Sequence, residues 1–158
     1  MLAASLAASQ ANQPTDPATV PNRTAWLVAT VGHSEWCPAG NVRLDLHTGT
    51  YVFSARGSLP TCIEAALERP VREGRLAAER LQAVRAAYQH AVAEGLESPI
   101  CRDGGRPEQI IVSNGGTPVL VATTGAQTVS APDDLSCWSE AASALHDLLN
   151  DLFRPAQR

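Results

Sequence analysis

The densest run of chemically active side chains is GHSEWCPAG at 32–40, which holds His33, Ser34, Glu35 and Cys37. A His and a Cys four residues apart can begin a metal site, and an imidazole near a carboxylate can begin acid–base chemistry. No second pair of ligands follows at a recognisable spacing. We therefore predict no metal site and no cofactor, and retain His33, Glu35 and Trp36 as a candidate functional cluster.

The cysteines are the second chemical feature, and their even number without CxxC spacing favours disulfides over a zinc or thioredoxin-like site. We expect two disulfide bonds. Cys37 lies in the loop after the first predicted strand (25–33) and Cys62 follows the third (50–54), and these points lie at the same end of a meander. Cys101 follows the first predicted helix and Cys137 begins the second. Four cysteines allow three pairings, and the sequence alone does not decide between them; of these we predict Cys37–Cys62 and Cys101–Cys137.

Cys137 has three other interpretations. A helix N-terminus lowers a thiol pKa, but the nearby acids Asp133, Asp134 and Glu140 disfavour a thiolate nucleophile. A metal site shared with His146 is disfavoured because nine residues place the two side chains on opposite sides of a helix. A buried free thiol is the remaining alternative to the disulfide.

Composition excludes several classes of function. The 158 residues carry a net charge of −4, and all 12 basic residues are Arg. Without Lys, the chain cannot form a Schiff-base lysine, a Walker phosphate-binding site or a Ser-Lys dyad. The acidic balance and the lack of a dense basic patch predict no nucleic-acid partner, and no apolar run is long enough for a membrane span.

The chain divides into residues 1–22 and 23–158. The first part, MLAASLAASQANQPTDPATVPN, contains a small, weakly apolar stretch and then a Pro-rich linker. We interpret it as a remnant export signal with a disordered linker, and an Ala-rich leader without a targeting role is the alternative. Residues 23–158 are predicted to form a single domain.

Hydrophobic periodicity predicts an α+β fold. Strands are expected at 25–33, 41–47 and 50–54 as a three-stranded meander, and a hairpin is expected over 108–125 around Asn114. Two amphipathic helices follow from apolar stripes within 74–95 and 135–153. The predicted order is βββ-α-ββ-α, with both helices packed on one face of an antiparallel sheet and two disulfides.

These features favour a small exported bacterial domain, periplasmic or secreted, that binds a protein or a small ligand without catalysis. The alternative is a small hydrolase, or a metal-binding or redox protein, that uses His33, Glu35 and Cys37. The partner and the oligomeric state do not follow from the sequence.

Overall fold

The computed structural model describes residues 25–31, 40–55, 71–107, 118–125 and 127–153. Within these ranges the chain forms a mixed α+β structure with a six-stranded antiparallel sheet and three α-helices. The strands are β1 (Ala25–Val31), β2 (Gly40–Asp45), β3 (Thr50–Ala55), β4 (Val71–Arg75), β5 (Leu120–Thr124) and β6 (Gln127–Ser130). The helices are α1 (Ala78–Glu94), α2 (Pro99–Arg102) and α3 (Glu140–Phe153).

The sheet has the strand order β4-β3-β2-β1-β5-β6, so β1 lies near the centre and β4 and β6 lie at the edges. The predicted meander is present, because β1, β2 and β3 pair as antiparallel neighbours. The turn between β2 and β3 includes Gly49, whose φ of 74° lies in the left-handed region that glycine adopts without strain. The sequence prediction is correct for this half of the sheet.

The core lies between one face of the sheet and the two long helices. On β1, Leu27, Ala29 and Val31 are buried, and the residues between them are only half-buried. The stripe predicted on α1 is buried at Leu81, Val84, Tyr88 and Ala91. The buried side of α3 consists of Ala141, Ala142, Leu145, His146, Leu149 and Phe153. All of these residues except Leu81 and His146 join one hydrophobic cluster with the inward side chains of β1, β2, β3 and β5.

The element order differs from the predicted one, because β4 and α2 were not expected and the second hairpin lies elsewhere. β4, VREGR, contains one strongly apolar residue and three charged ones, so it resembles the polar approach to a helix. It is nevertheless a strand, because its backbone pairs with β3 and the Arg72 guanidinium lies 4.3 Å from the centre of the Phe53 ring. Cross-strand pairing therefore overrides local composition here.

The second hairpin is formed by β5 and β6 and turns at Gly125, whose φ is 59°. The predicted turn at Asn114 and the strand predicted before it lie outside the described residues. Of the described strands, β5 alone belongs to the segment predicted as a hairpin. The run after Gly125, QTVS, was missed because it is short and its four residues are all exposed.

The second predicted helix begins later than expected. Residues Leu135–Cys137 form a short 3-10 helix, and α3 begins only at Glu140. The buried Ser139 hydroxyl accepts a hydrogen bond from the Ala142 N–H at 3.1 Å, as an N-cap residue does. Asp133 and Asp134 therefore precede the 3-10 helix and not α3. Asp134 caps the 3-10 helix by accepting a hydrogen bond from the Ser136 N–H.

Candidate functional site

The predicted cluster His33, Glu35 and Trp36 lies outside the described residues, as do Cys37 and Cys62. The strands around them are nevertheless described. Val31 at the end of β1 pairs with Gly40 at the start of β2, and Gly40 pairs with Ala55 at the end of β3. The chain therefore leaves the sheet towards 32–39 and towards 56–70 at the same end. The Cys37–Cys62 pairing stays a prediction that agrees with this topology.

The structure contains the Cys101–Cys137 disulfide, with a Cα–Cα distance of 5.6 Å. Backbone hydrogen bonds reinforce the same junction, since the Ser98 N–H donates to the Cys137 carbonyl at 2.7 Å and the Ser139 N–H donates to the Leu96 carbonyl at 3.0 Å. It is the one disulfide among the described residues, where the sequence predicted two for the whole chain. Cys137 here ties the segment after α1 to the start of α3.

Trp138 belongs to this junction. It is buried, and its indole N–H donates to the Pro132 carbonyl at 2.7 Å. Its ring lies edge-on to the His146 imidazole, with centroids 5.2 Å apart. Trp138 is therefore a core residue beside the disulfide and not part of an exposed surface.

His146 is buried on α3, and its Nε2 lies 2.7 Å from the Thr30 carbonyl of β1. Its Nδ1 lies 3.2 Å from the amide nitrogen of Asn150. A carbonyl can only accept a hydrogen bond, so Nε2 carries a proton and donates it to Thr30. In the neutral ring, Nδ1 then accepts a hydrogen bond from the Asn150 amide. The sequence placed His146 only as an improbable partner of Cys137, although its spacing from Ala142 and Leu149 is that of an inward-facing helical position.

The described strands present a second face on the side opposite the two long helices, which we call the open face. Side chains alternate along each strand, so this face carries the residues that the core does not use. Its members are Trp26, Val28 and Thr30 of β1, Asn41, Arg43 and Asp45 of β2, Thr50, Val52 and Ser54 of β3, Val71, Glu73 and Arg75 of β4, Val121 and Thr123 of β5, and Thr128 and Ser130 of β6.

Trp26 and Arg43 occupy the centre of the open face. The Arg43 guanidinium lies 4.1 Å from the centre of the Trp26 ring, within cation–π range. The register places Val28 between Arg43 on one side and Val121 on the other. Val52, which is 40% exposed, lies opposite Arg43 on β3. A half-buried aromatic ring and an exposed guanidinium are thus surrounded by β-branched side chains.

Asp45 borders this centre, opposite Trp26, and is buried. Its Oδ1 accepts hydrogen bonds from the backbone N–H of His47 at 2.7 Å and of Thr48 at 3.1 Å. Burial raises the pKa of Asp45, but the hydrogen bonds from Thr48 and His47 stabilise the carboxylate more strongly, so the pKa is lowered overall. Asp45 is therefore an ionised group that fixes the β2–β3 turn.

The turn is also fixed from the helix side. The Arg85 Nε donates to the Leu46 carbonyl at 2.6 Å, and its Nη2 donates to the His47 carbonyl at 2.7 Å. About one turn further along α1, the Tyr88 hydroxyl is hydrogen-bonded to Thr124 of β5. The strands that carry the open face are therefore held in place by residues of the helical layer.

Two further histidines are peripheral to this surface. His47 is an exposed turn residue, and His90 lies on the exposed side of α1 with its Nε2 3.4 Å from Glu94 Oε1. Among the described residues, no three His, Cys, Asp or Glu side chains lie together as metal ligands do. None of the described helices is long and apolar enough to cross a membrane.

Sequence reasoning missed the open face as a site. The alternation of Arg43 and Asp45 with apolar residues was visible in NVRLDLH, and it correctly indicated one polar side of β2. In contrast, AWLVATV is apolar except for Thr30, which made β1 resemble a strand buried on both sides. No family model matches the chain, and neither the curated proteins nor the solved structures include a significant match to it.

Proposed function

We propose that this chain is an exported bacterial domain, periplasmic or secreted, that acts without catalysis by holding a partner protein on the open face of its sheet. The observation that carries the proposal is the central pair of Trp26 and Arg43 on a sheet face that the described helices do not cover. Trp and Arg are the residue types most often found at the energetic centre of protein interfaces.

The shape of the surface favours a protein partner over a small ligand. Small molecules bind in concave sites that bury most of their surface. The open face is the flat side of a broad antiparallel sheet, and its β-branched and Thr side chains lose little conformational entropy when they are covered. Such a surface suits a partner that contributes a comparably broad face.

The proposed compartment is supported by the Cys101–Cys137 disulfide, because structural disulfides persist in oxidising compartments and are rare in the cytosol. The composition of residues 1–22 supports export independently. Fractionation of cells that express the full chain tests this part, with the oxidised protein expected outside the cytoplasm. Recovery of reduced protein from the cytosol would contradict it.

The binding proposal is tested by site-specific photo-crosslinking in cells that express the full chain. A photoreactive amino acid replaces Val52 on the open face in one variant and Val92 on α1 in the other; both side chains are 40% exposed. We expect a discrete crosslinked protein, identified by mass spectrometry, from position 52 and not from position 92. Equal products from the two positions, or none from position 52, would contradict the proposal.

A second candidate function keeps the His33, Glu35 and Cys37 cluster as a hydrolytic, metal-binding or redox site. It stays a prediction, because the three residues of the cluster lie outside the described part of the chain. The measurement is the metal content and thiol titre of the native protein, compared with His33→Ala. Bound metal lost in His33→Ala would favour this function, and metal-free protein without reactive thiols would count against it.

A further inference from the structure

The sheet has two edge strands, β4 and β6, and they differ in composition. β4 carries Arg72, Glu73 and Arg75, and charges on an edge are a common protection against pairing with another chain. β6, QTVS, carries no charge and no Pro, and all four of its residues are exposed. Within the described part of the chain, nothing pairs with the outer side of β6.

The hydrogen-bond pattern shows which backbone groups of β6 point outwards. The Ala131 N–H donates to the Leu120 carbonyl at 2.9 Å, so this pair is a hydrogen-bonded one. Bonded and non-bonded pairs alternate along an antiparallel ladder. In the register of β5 and β6, the non-bonded pairs are Val121–Ser130 and Thr123–Thr128. The N–H and C=O groups of Thr128 and Ser130 therefore point away from β5, towards the free edge.

Between Thr128 and Ser130, β6 carries one apolar side chain, Val129. Val129 pairs with Ala122, so it points to the helix side of the sheet, but it is 45% exposed because it lies beyond the core. Thr128 and Ser130 point to the open face. Val129 is thus flanked on each side by a residue whose backbone N–H and C=O groups point outwards, Thr128 and Ser130.

We propose that β6 is a dimerisation edge, on which two copies of this chain pair antiparallel about Val129. In this register Thr128 lies opposite Ser130 of the second copy, and the reverse pair forms by symmetry. Each pair exchanges two backbone hydrogen bonds, so the two pairs make four. Val129 lies opposite Val129 of the second copy in the close, non-bonded position, where β-branched side chains pack well.

A second copy fits this edge because the strand is complementary to itself. Pairing places no like charges opposite each other, since β6 has none. The two-fold axis stands perpendicular to the sheet, so both open faces lie on the same side of one continuous sheet. Two four-residue strands bury little area, which predicts a dimer that dissociates on dilution. The dimer goes beyond the proposed partner binding and does not depend on it.

The first test is sedimentation velocity of the full-length oxidised chain over a wide range of concentrations. We expect a concentration-dependent dimer for the wild type. Thr128→Pro removes an outward N–H without removing a bond to β5, so it is expected to abolish the dimer. The matched control is Glu73→Pro on β4. The Leu76 N–H donates to the Gly49 carbonyl, so by the same alternation Glu73 lies in a non-bonded pair and its N–H points away from β3. This variant should dimerise as the wild type does.

A second pair of variants guards against misfolding of the proline variants. Val129→Lys places two like charges opposite each other and is expected to abolish the dimer, whereas Val71→Lys on β4 should not. Both side chains are exposed in the structure, so thermal unfolding should stay near that of the wild type. A monomeric wild type at all concentrations, or equal dimerisation of Val129→Lys and Val71→Lys, would overturn the proposal.

Oxidative crosslinking tests the register. In the proposed pair, the two Cα atoms of residue 129 come within disulfide range, whereas those of residue 128 are offset along the strands and lie too far apart. Val129→Cys should therefore yield a disulfide dimer, located at residue 129 by peptide mapping, and Thr128→Cys should not. A dimer linked through residue 128 in preference to 129 would overturn the stated register, and the absence of both links would overturn the proposal.

Discussion

The two faces of the sheet are built from the same strands but contribute differently to the protein. On one face, Leu27 and Leu44 are fully buried against the helices. On the other, their chain neighbours Trp26 and Arg43 stack on each other and stay accessible. The comparison separates two roles: the helix-covered face supplies the buried apolar surface that stabilises the fold, and the open face is where we propose that a partner binds.

Removal of a core side chain should show this separation most strongly. Leu145 of α3 is fully buried, so Leu145→Ala is expected to lower the free energy of unfolding by about 2–5 kcal/mol through lost burial and a residual cavity. Val52→Ala on the open face should cost less than about 1 kcal/mol. Urea unfolding of both variants measures the difference. Equal losses would mean that the open face is also covered.

Removal of the Cys101–Cys137 disulfide tests how strongly the segment after α1 is held to the start of α3. The bond joins residues 36 positions apart, and a loop of that length corresponds to at most about 4 kcal/mol of stabilisation in the chain-entropy model. We expect the double variant Cys101→Ala, Cys137→Ala to lose about 2–4 kcal/mol in urea unfolding. An unchanged midpoint would show that the hydrogen bonds at Ser98 and Ser139 hold the junction alone.

Asp45 offers a smaller effect that depends on pH. Its pKa is lowered in the folded state, so the carboxylate stabilises the fold above the pKa of the unfolded chain, and that contribution is lost as the pH falls through the folded-state value. Asp45→Asn should therefore cost about 1 kcal/mol near pH 7. The difference from the wild type should shrink as the pH falls below about 4 and disappear below the lowered pKa of the folded state.

Thermal unfolding of the wild type and Asp45→Asn over this pH range is the measurement. A difference that stays constant down to strongly acidic pH would show that the ionised carboxylate does not support the β2–β3 turn. Asp134, whose pKa is lowered by hydrogen bonds from Ser136, is fully exposed and serves as the comparison group. Asp134→Asn should change stability less than Asp45→Asn.

The parts of the fold that could be predicted are those where burial and periodicity coincide. The meander, the α1 stripe and the Cys101–Cys137 bond followed from alternation, helical spacing and element order. β4 and β6 could not be predicted in this way. Both are short edge strands without an apolar side, and they exist because a neighbouring strand offers hydrogen-bonding groups. Pairing of this kind is a property of the tertiary structure.

The candidate site was predictable only in part, for a related reason. Chemistry-bearing residue types drew attention to His33, Glu35 and Cys37, which lie outside the described residues. The Trp26–Arg43 pair has no sequence motif, since the two residues are brought together by the register of β1 and β2. A binding face on a sheet depends on which strands become neighbours, and this information is not contained in any one segment.

The most direct test of the open face as the binding surface is a charge reversal at its centre, with a matched reversal on the helices. Arg43→Glu and Arg80→Glu change the net charge equally, and both side chains are exposed. With the photoreactive residue at position 52, we expect Arg43→Glu to lose the crosslinked partner and Arg80→Glu to retain it, while both variants stay folded. Equal yields of the crosslinked partner from the two variants would contradict the account.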